Sequence, residues 1–193
     1  MKNVLIVGYG NIGQHIYDEL KGHNLTIYDP IKGYNKLEEN YDFAFICVPT
    51  EMLHDGKCDT SIVEETVGKI NANILVIKST IPVGTSEYLS NKYKKNIVFS
   101  PEYYGTTVHS PESPNFVVLS GEQEICDRVA ELYYDIKPAS FHISITDYKT
   151  AELAKYMENC FLALKVTFCS EFATIAKQFN ISYPKLREIF LLD

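Results

Sequence analysis

No two of the five cysteines, Cys47, Cys58, Cys126, Cys160 and Cys169, stand in a CxxC pair, and their number is odd. Neither a disulfide framework nor a zinc knuckle is indicated, and reduced thiols in a cytoplasmic protein are the expectation. The five histidines, His15, His23, His54, His109 and His142, show no metal spacing either. No uninterrupted apolar run approaches the roughly 18 residues that cross a bilayer. The N-terminal MKNVLIVGYG is a short apolar run broken by glycines, without a small-residue cleavage site. No membrane partner and no signal peptide are therefore expected. Basic residues are scarce: 18 Lys and Arg against 25 Asp and Glu leave a net charge of −7. That balance argues against a nucleic-acid partner, because neutralising phosphates needs a basic face. With 46% apolar and 22% charged residues among 193, the chain is neither disordered nor collagen-like. Its length allows one domain and part of another.

What is present is an alternation of strands and helices. Residues 3–7, NVLIV, form a continuous apolar run of the kind buried on both faces of a parallel sheet. A helical stripe of Ile12, Ile16 and Leu20 follows over 11–21. Further strands are predicted at 25–28, 43–48, 74–77, 97–99, 116–119 and 140–145, with helices near 60–71, 84–93 and 121–134. This order implies an α/β fold of Rossmann type, a doubly wound and mostly parallel sheet over residues 1–146. The stretch 100–115, rich in Pro, Ser and Gly, is the one long loop. From Tyr148 to Phe179 there is neither Gly nor Pro, and apolar residues recur at three- and four-residue steps. Asp147 is the expected N-cap of a single helix about 46 Å long. Asn180 marks its end, and Pro184 opens a short helix over 184–191. Residues 147–193 form a connecting or dimerisation segment in this reading.

Gly8-Tyr9-Gly10-Asn11-Ile12-Gly13 is a GxGxxG motif between a predicted strand and a predicted helix. Gly8 allows the tight turn, Gly10 lets a pyrophosphate approach the backbone, and Gly13 lets helix and strand pack closely. The N–H groups of Asn11, Ile12 and Gly13 open the helix and are free to meet an anion. Asp29 ends the second strand, 16 residues after Gly13. A carboxylate there accepts hydrogen bonds from ribose hydroxyls and repels a 2′-phosphate, so the expected cofactor is NAD rather than NADP. Lys32 reads as a solvated surface lysine. The competing reading is a tight strand–helix turn with no ligand.

Three more segments lie at the carboxyl ends of strands, where open α/β sheets bind ligands. They are Cys47-Val48-Pro49-Thr50, Lys78-Ser79-Thr80-Ile81-Pro82-Val83-Gly84-Thr85 and Ser100-Pro101-Glu102-Tyr103-Tyr104. Together with the glycine motif and Lys155-x-x-x-Asn159, they resemble the UDP-glucose/GDP-mannose dehydrogenase family over residues 2–193. The resemblance implies an NAD-binding domain joined by a long helix to a nucleotide-sugar-binding domain. It also implies oxidation of a sugar C6 alcohol to a carboxylate in two steps, within polysaccharide biosynthesis. Val48, Pro49, Thr50 and Thr80 would then line the cofactor, with Thr80 also ordering a water. Glu102 would take part in acid/base chemistry. Lys155 and Asn159, on one helix face, would stabilise a developing alkoxide. By residue type alone, Thr50 and Thr80 are also ordinary strand-end caps, Glu102 a loop carboxylate and Lys155 a solvated lysine. Asn159, among Met157, Cys160 and Phe161, is expected to need a polar partner.

The chain departs from the family pattern in three places. Thr106 replaces a usual Glu, and Gln14-His15 replaces a usual Leu-Pro. No cysteine lies in the glycine-rich setting of the family's nucleophile, which falls well beyond the long helix. Cys58, in DGKCDT, is the one thiol in a polar loop. The expectation is NAD binding with incomplete catalysis by these residues alone, a nucleotide-sugar substrate with UDP-glucose foremost, and a homodimer through 150–190. A non-catalytic NAD-binding assembly module and a β-hydroxyacid dehydrogenase relative are the alternatives.

Overall fold

The computed structural model describes residues 1–38, 40–103 and 114–192. The chain divides into two compact units, Met1–Leu153 and Ala154–Asp193.

The first unit holds seven strands: β1 (Asn3–Val7), β2 (Asn24–Tyr28), β3 (Tyr41–Ile46), β4 (Ala72–Ile77), β5 (Ile97–Phe99), β6 (Phe116–Ser120) and β7 (His142–Thr146). They form one sheet in the order β2-β1-β3-β4-β5-β6-β7. Every neighbouring pair is parallel except β5 and β6, which meet antiparallel through Phe99 and Ser120. The helices between them are α1 (Asn11–Glu19), α2 (Ser61–Lys69), α3 (Thr85–Tyr93) and α4 (Gln123–Tyr134).

Alternation along the strands sends side chains to opposite faces. Val4, Ile6, Phe43, Phe45, Ile74 and Val76 pack with Ile16 and Leu20 of α1 and Val129 of α4. Leu5, Val7, Ala44, Ile46, Leu75 and Ile77 pack with Val63 and Val67 of α2 and Leu89 of α3. Both faces of the central strands are thus covered, which explains why these strands read as continuous apolar runs. Successive strands are added outward on either side of β1, so the order reverses between β1 and β3. That is the switch point where the carboxyl ends of strands leave a crevice.

His23, in the turn into β2, is an exception to good polar pairing. Neither ring nitrogen has a partner among the described residues, and burial, aided by the nearby N-terminal ammonium, lowers its pKa.

The long helix α5 (Tyr148–Gln178) passes from the first unit into the second. Asp147 caps it as expected: Oδ1 accepts the Thr150 N–H at 2.9 Å and Oδ2 accepts the Thr150 hydroxyl at 2.6 Å. Both bonds hold the Asp147 carboxyl below its ordinary range. At the far end Asn180 adopts a left-handed φ of 57°. The Ile181 N–H returns to Ala176 O at 2.9 Å and the Asn180 N–H to Lys177 O at 3.2 Å, closing a Schellman motif. The last helix, α6 (Tyr183–Phe190), carries Pro184 in its first turn. Within the second unit Phe168 packs against Phe172 and Phe190, with ring centres 4.7 and 6.0 Å apart. By length and composition α5 is apolar enough to cross a membrane, its best 18 residues having a mean hydropathy of 1.2. It qualifies on the average rather than as an unbroken run, because Lys165 and Glu171 interrupt the apolar sequence.

Candidate functional site

The glycine motif turns from β1 into α1 at the switch point. Gly8 has φ +85°, and a Cβ there would lie 2.6 Å from Cys47 O. Its N–H donates to Tyr28 O at 2.9 Å, tying the turn to β2. A Cβ on Gly13 would lie 2.0 Å from Gly8 O. Both glycines are thus required by the protein's own packing. Gly10 is different: a Cβ there would meet nothing within 4 Å. Gly10 also caps α1 with no side-chain hydrogen bond. The chain therefore leaves open ground in front of the first amides of a helix, the place an anion occupies. Glycine is an accepted helix N-cap, and at position 10 it also keeps the ground before the α1 amides open. The motif fits a pyrophosphate on this observation.

Asp29 stands across from that ground. Its Oδ2 accepts the Tyr9 N–H at 2.8 Å and its Oδ1 accepts the Lys32 N–H at 3.2 Å. It thereby caps a single 3₁₀ turn, Pro30–Lys32. Each carboxylate oxygen retains a lone pair for a ribose hydroxyl. Lys32 is not simply solvated as expected: its Nζ donates to Tyr9 O at 2.6 Å. Asp29 and Lys32 together clasp the glycine loop from the β2 side. Beside Asp29 opens a cleft of about 270 Å³ lined by Pro30, Ile31, Val48, Pro49, Ile62 and Ile70 among others. Ile31 is 98% exposed at its edge, an apolar lip with nothing of its own to cover. Ile31 and Ile62 carried no signal in the sequence, because single apolar residues near a turn are common.

The ends of β3 and β4 are tied to each other. The Thr50 hydroxyl donates to Thr80 O at 2.8 Å, and the Ser79 hydroxyl to Val48 O at 2.6 Å. Val48 and Thr50 at the end of β3 are thus tied to Ser79 and Thr80 at the end of β4. Cys58 joins them, its Sγ 3.8 Å from Thr80 O. Sequence reading placed this thiol only in a polar loop, since the loop's return to β4 had no local signature. The other thiol of the region, Cys47, is pushed up to about 12 by burial. Cys126 is pushed up to about 11 by burial. Neither is primed as a nucleophile.

Glu102 follows β5 and turns inward. Its Oε2 lies 3.3 Å from Lys78 Nζ, and the side chains are 11% and 3% exposed respectively. Its Oε1 accepts the Tyr103 N–H at 2.9 Å, and Lys78 Nζ also donates to Ser100 Oγ at 3.3 Å. The exposed loop carboxylate allowed by residue type is not what the fold builds. The pair borders a cavity of about 20 Å³ with His15, Glu19 and Tyr133. Burial, with Glu19 and Glu102 adding to it, raises the Tyr133 hydroxyl well above its ordinary pKa. Lys78 stood in the sequence only as the first letter of a motif. Nothing local marked it as the ion-pair partner of a residue 24 positions on. Tyr104, Thr106 and His109 lie outside the described residues.

In the second unit Lys155 and Asn159 sit one turn apart on α5. Lys155 Nζ pairs with Glu158 Oε2 at 2.6 Å. Asn159 is exposed, as are Met157, Cys160 and Phe161, so the partner expected for a buried amide is not required. The apolar stripe of α5, expected to need a partner, is exposed in this chain at Met157, Phe161, Leu164 and Phe168.

Residues 14–137 match the UDP-glucose/GDP-mannose dehydrogenase family, NAD binding domain, and residues 149–193 match the central domain of that family. An uncharacterized protein of Methanocaldococcus jannaschii, MJ1054, is 33% identical over 184 residues, covering 87% of this chain and 20% of that one. The UDP-glucose 6-dehydrogenase of Rickettsia bellii is 31% identical over 173 residues, covering 83% of this chain and 40% of its own length. The solved structure of a UDP-glucose dehydrogenase from the hyperthermophilic archaeon Pyrobaculum islandicum superposes with a TM-score of 0.80. It is 22% identical, with 100% of this chain and 57% of that one covered. At that identity the likeness is one of fold. The chain spans well under two thirds of the length of each of these proteins.

Proposed function

Because the chain belongs to the UDP-glucose/GDP-mannose dehydrogenase family, we propose that it serves the NAD-dependent oxidation of a nucleotide sugar, with UDP-glucose as the substrate. The single observation that carries the cofactor half is the uncapped start of α1 behind Gly10, with the Asp29 carboxylate across from it. The amides of Asn11, Ile12 and Gly13 hold the pyrophosphate, and Asp29 takes the ribose hydroxyls. Thr50 and Thr80 line the nicotinamide side. When bound, NAD supplies the hydride acceptor. Glu102 serves the proton transfers, with Lys78 compensating its charge, and Lys155 and Asn159 attend the sugar oxygen. The substrate half of the reading rests on the motif resemblance and on the names of the relatives.

Calorimetric titration of the purified chain tests the cofactor half. NAD binds more tightly than NADP, and Asp29→Ala weakens NAD by roughly tenfold or more, the scale of a lost hydrogen bond to a charged group. Absence of heat with NAD would sink the reading.

The same reading includes a homodimer. Phe161, Leu164, Phe168, Phe172, Phe190 and Leu191 are exposed in this chain. A groove of about 230 Å³ runs between α5 and α6, lined by Phe168, Phe172, Leu186 and Phe190. A patch of that kind marks a contact surface. A lipid is the weaker occupant, because a charge such as Lys165 costs about 2.5–3.5 kcal/mol at a bilayer centre. Sedimentation without detergent gives twice the 22.0 kDa chain mass at micromolar concentration. A monomer there removes the second copy from the proposal.

A further inference from the structure

The loop that carries Thr80 is held at both ends. At its start the Lys78 N–H donates to Ile46 O at 2.9 Å, and the Ser79 and Thr50 hydroxyls bridge β3 and β4. In its middle Ile81 is fully buried. Its end is the start of α3, and here the chain does something unusual. A helix start is ordinarily capped by a Ser, Thr, Asp or Asn of its own. Position 84 is a glycine with φ +92° and no side chain to offer. Ser86 does not substitute: its hydroxyl is buried and has no partner among the described residues.

The missing cap comes from a distant residue. Glu152, on the first turns of α5, is 0% exposed. Its Oε2 accepts the Gly84 N–H at 2.6 Å and its Oε1 accepts the Ser86 N–H at 2.8 Å. Both oxygens of one carboxylate thus close the same helix start, from 68 and 66 residues away. Burying a charge is costly unless it is fully hydrogen-bonded. The positive end of a helix, with two aligned donors, is a setting that meets the cost. A serine or threonine N-cap on an extended backbone is the usual solution and buries no charge, but the φ of +92° at Gly84 rules it out. What Glu152 adds is location: the end of the Thr80 loop is referred to the root of α5.

We propose that Glu152 is a positioning residue that sets the Ser79–Thr85 loop and so the placement of Thr80 against the nicotinamide end of the cofactor. The inference rests on the reading of Thr80 given under Proposed function. It predicts a selective defect. Glu152→Gln keeps the shape but offers one acceptor oxygen, and its amide NH₂ opposes the second donor. The variant binds NAD roughly tenfold more weakly, the scale of one charged hydrogen bond. It binds ADP-ribose, which lacks nicotinamide, within about twofold of the unmodified chain, because Gly10 and Asp29 are untouched. In hydrogen exchange the amides of 79–86 speed up in the variant while those of β4 do not.

Equal weakening of both ligands, or of neither, overturns the role of Glu152. An unmodified chain that binds NAD no better than ADP-ribose overturns the placement of Thr80 itself and the present inference with it. Should the variant fail to fold, the unmodified chain decides. Gly84 and Ser86 amides that exchange as slowly as those of β4 support the clamp. Rapid exchange there overturns it.

Discussion

Gly13→Ala costs the fold about 3 kcal/mol and removes measurable NAD binding, whereas Gly10→Ala spares the fold and removes only the binding. The Cβ added at position 13 would fall 2.0 Å from Gly8 O. The obstacle is backbone, so no side chain can rotate away. Either α1 lifts from β1 or the glycine turn opens, and overpacking of this kind costs about 1–3 kcal/mol, sometimes more. Both responses also disturb the amides that face the pyrophosphate. At position 10 nothing lies within 4 Å of the new methyl, and φ is −75°, which alanine accepts. The stability change there stays within about 1 kcal/mol, the preference of an N-cap for glycine over alanine. Denaturant midpoints with calorimetric titrations separate the two. If Gly10→Ala bound NAD normally, the ground in front of α1 would not be the pyrophosphate site.

Lys78→Met lowers stability by about 3 kcal/mol, and adding Glu102→Gln restores most of it. The lysine side chain is 3% exposed, and its ammonium faces Glu102 Oε2 at 3.3 Å. Taking away one partner leaves a carboxylate in a nearly dry setting, and breaking a buried pair costs about 3–5 kcal/mol. The lower end applies because Glu102 keeps the Tyr103 N–H. The methionine fills the stem volume of lysine, so little of the effect is cavity. Chemical unfolding of the two single variants and the double variant gives the coupling energy directly. A loss under about 1 kcal/mol in the single lysine variant is the behaviour of an exposed pair, and would place Glu102 in solvent.

Much of this architecture can be read along the chain. The runs NVLIV, FAFICV and ILVI became β1, β3 and β4, because strands covered on both faces have no polar side to show. The Gly-free and Pro-free stretch became α5, with Asp147 and Asn180 acting at its ends as their side chains predict. The turn from β1 into α1 and the place of Asp29 at the end of β2 are legible because the glycine motif is a short, local spacing. What stayed hidden is long-range. Nothing near Glu152 announces that its two oxygens serve amides 66 and 68 residues earlier. Lys78 and Glu102 are likewise joined only by the adjacency of β4 and β5. The reversed direction of β6 was also invisible, since the apolar run 116–119 is the same read either way. Asn159 misled for a different reason: apolar neighbours on a helix imply burial only where something covers them, and in this chain that face is exposed.

The double duty of Asp29 bears on how cofactor preference can change over generations. The carboxylate proposed to meet ribose also holds the Tyr9 and Lys32 amides, so a mutation made to welcome a 2′-phosphate also loosens the turn and the glycine loop. Asp29→Ala forfeits both acceptors at once. Asp29→Asn sheds the charge yet retains one acceptor oxygen. Lys32, three residues beyond Asp29, has its ammonium committed to Tyr9 O. A lineage drifting toward the phosphorylated dinucleotide would therefore pass through asparagine at this position before recruiting a new cation. The present pairing acts as a ratchet that keeps the preference where it is.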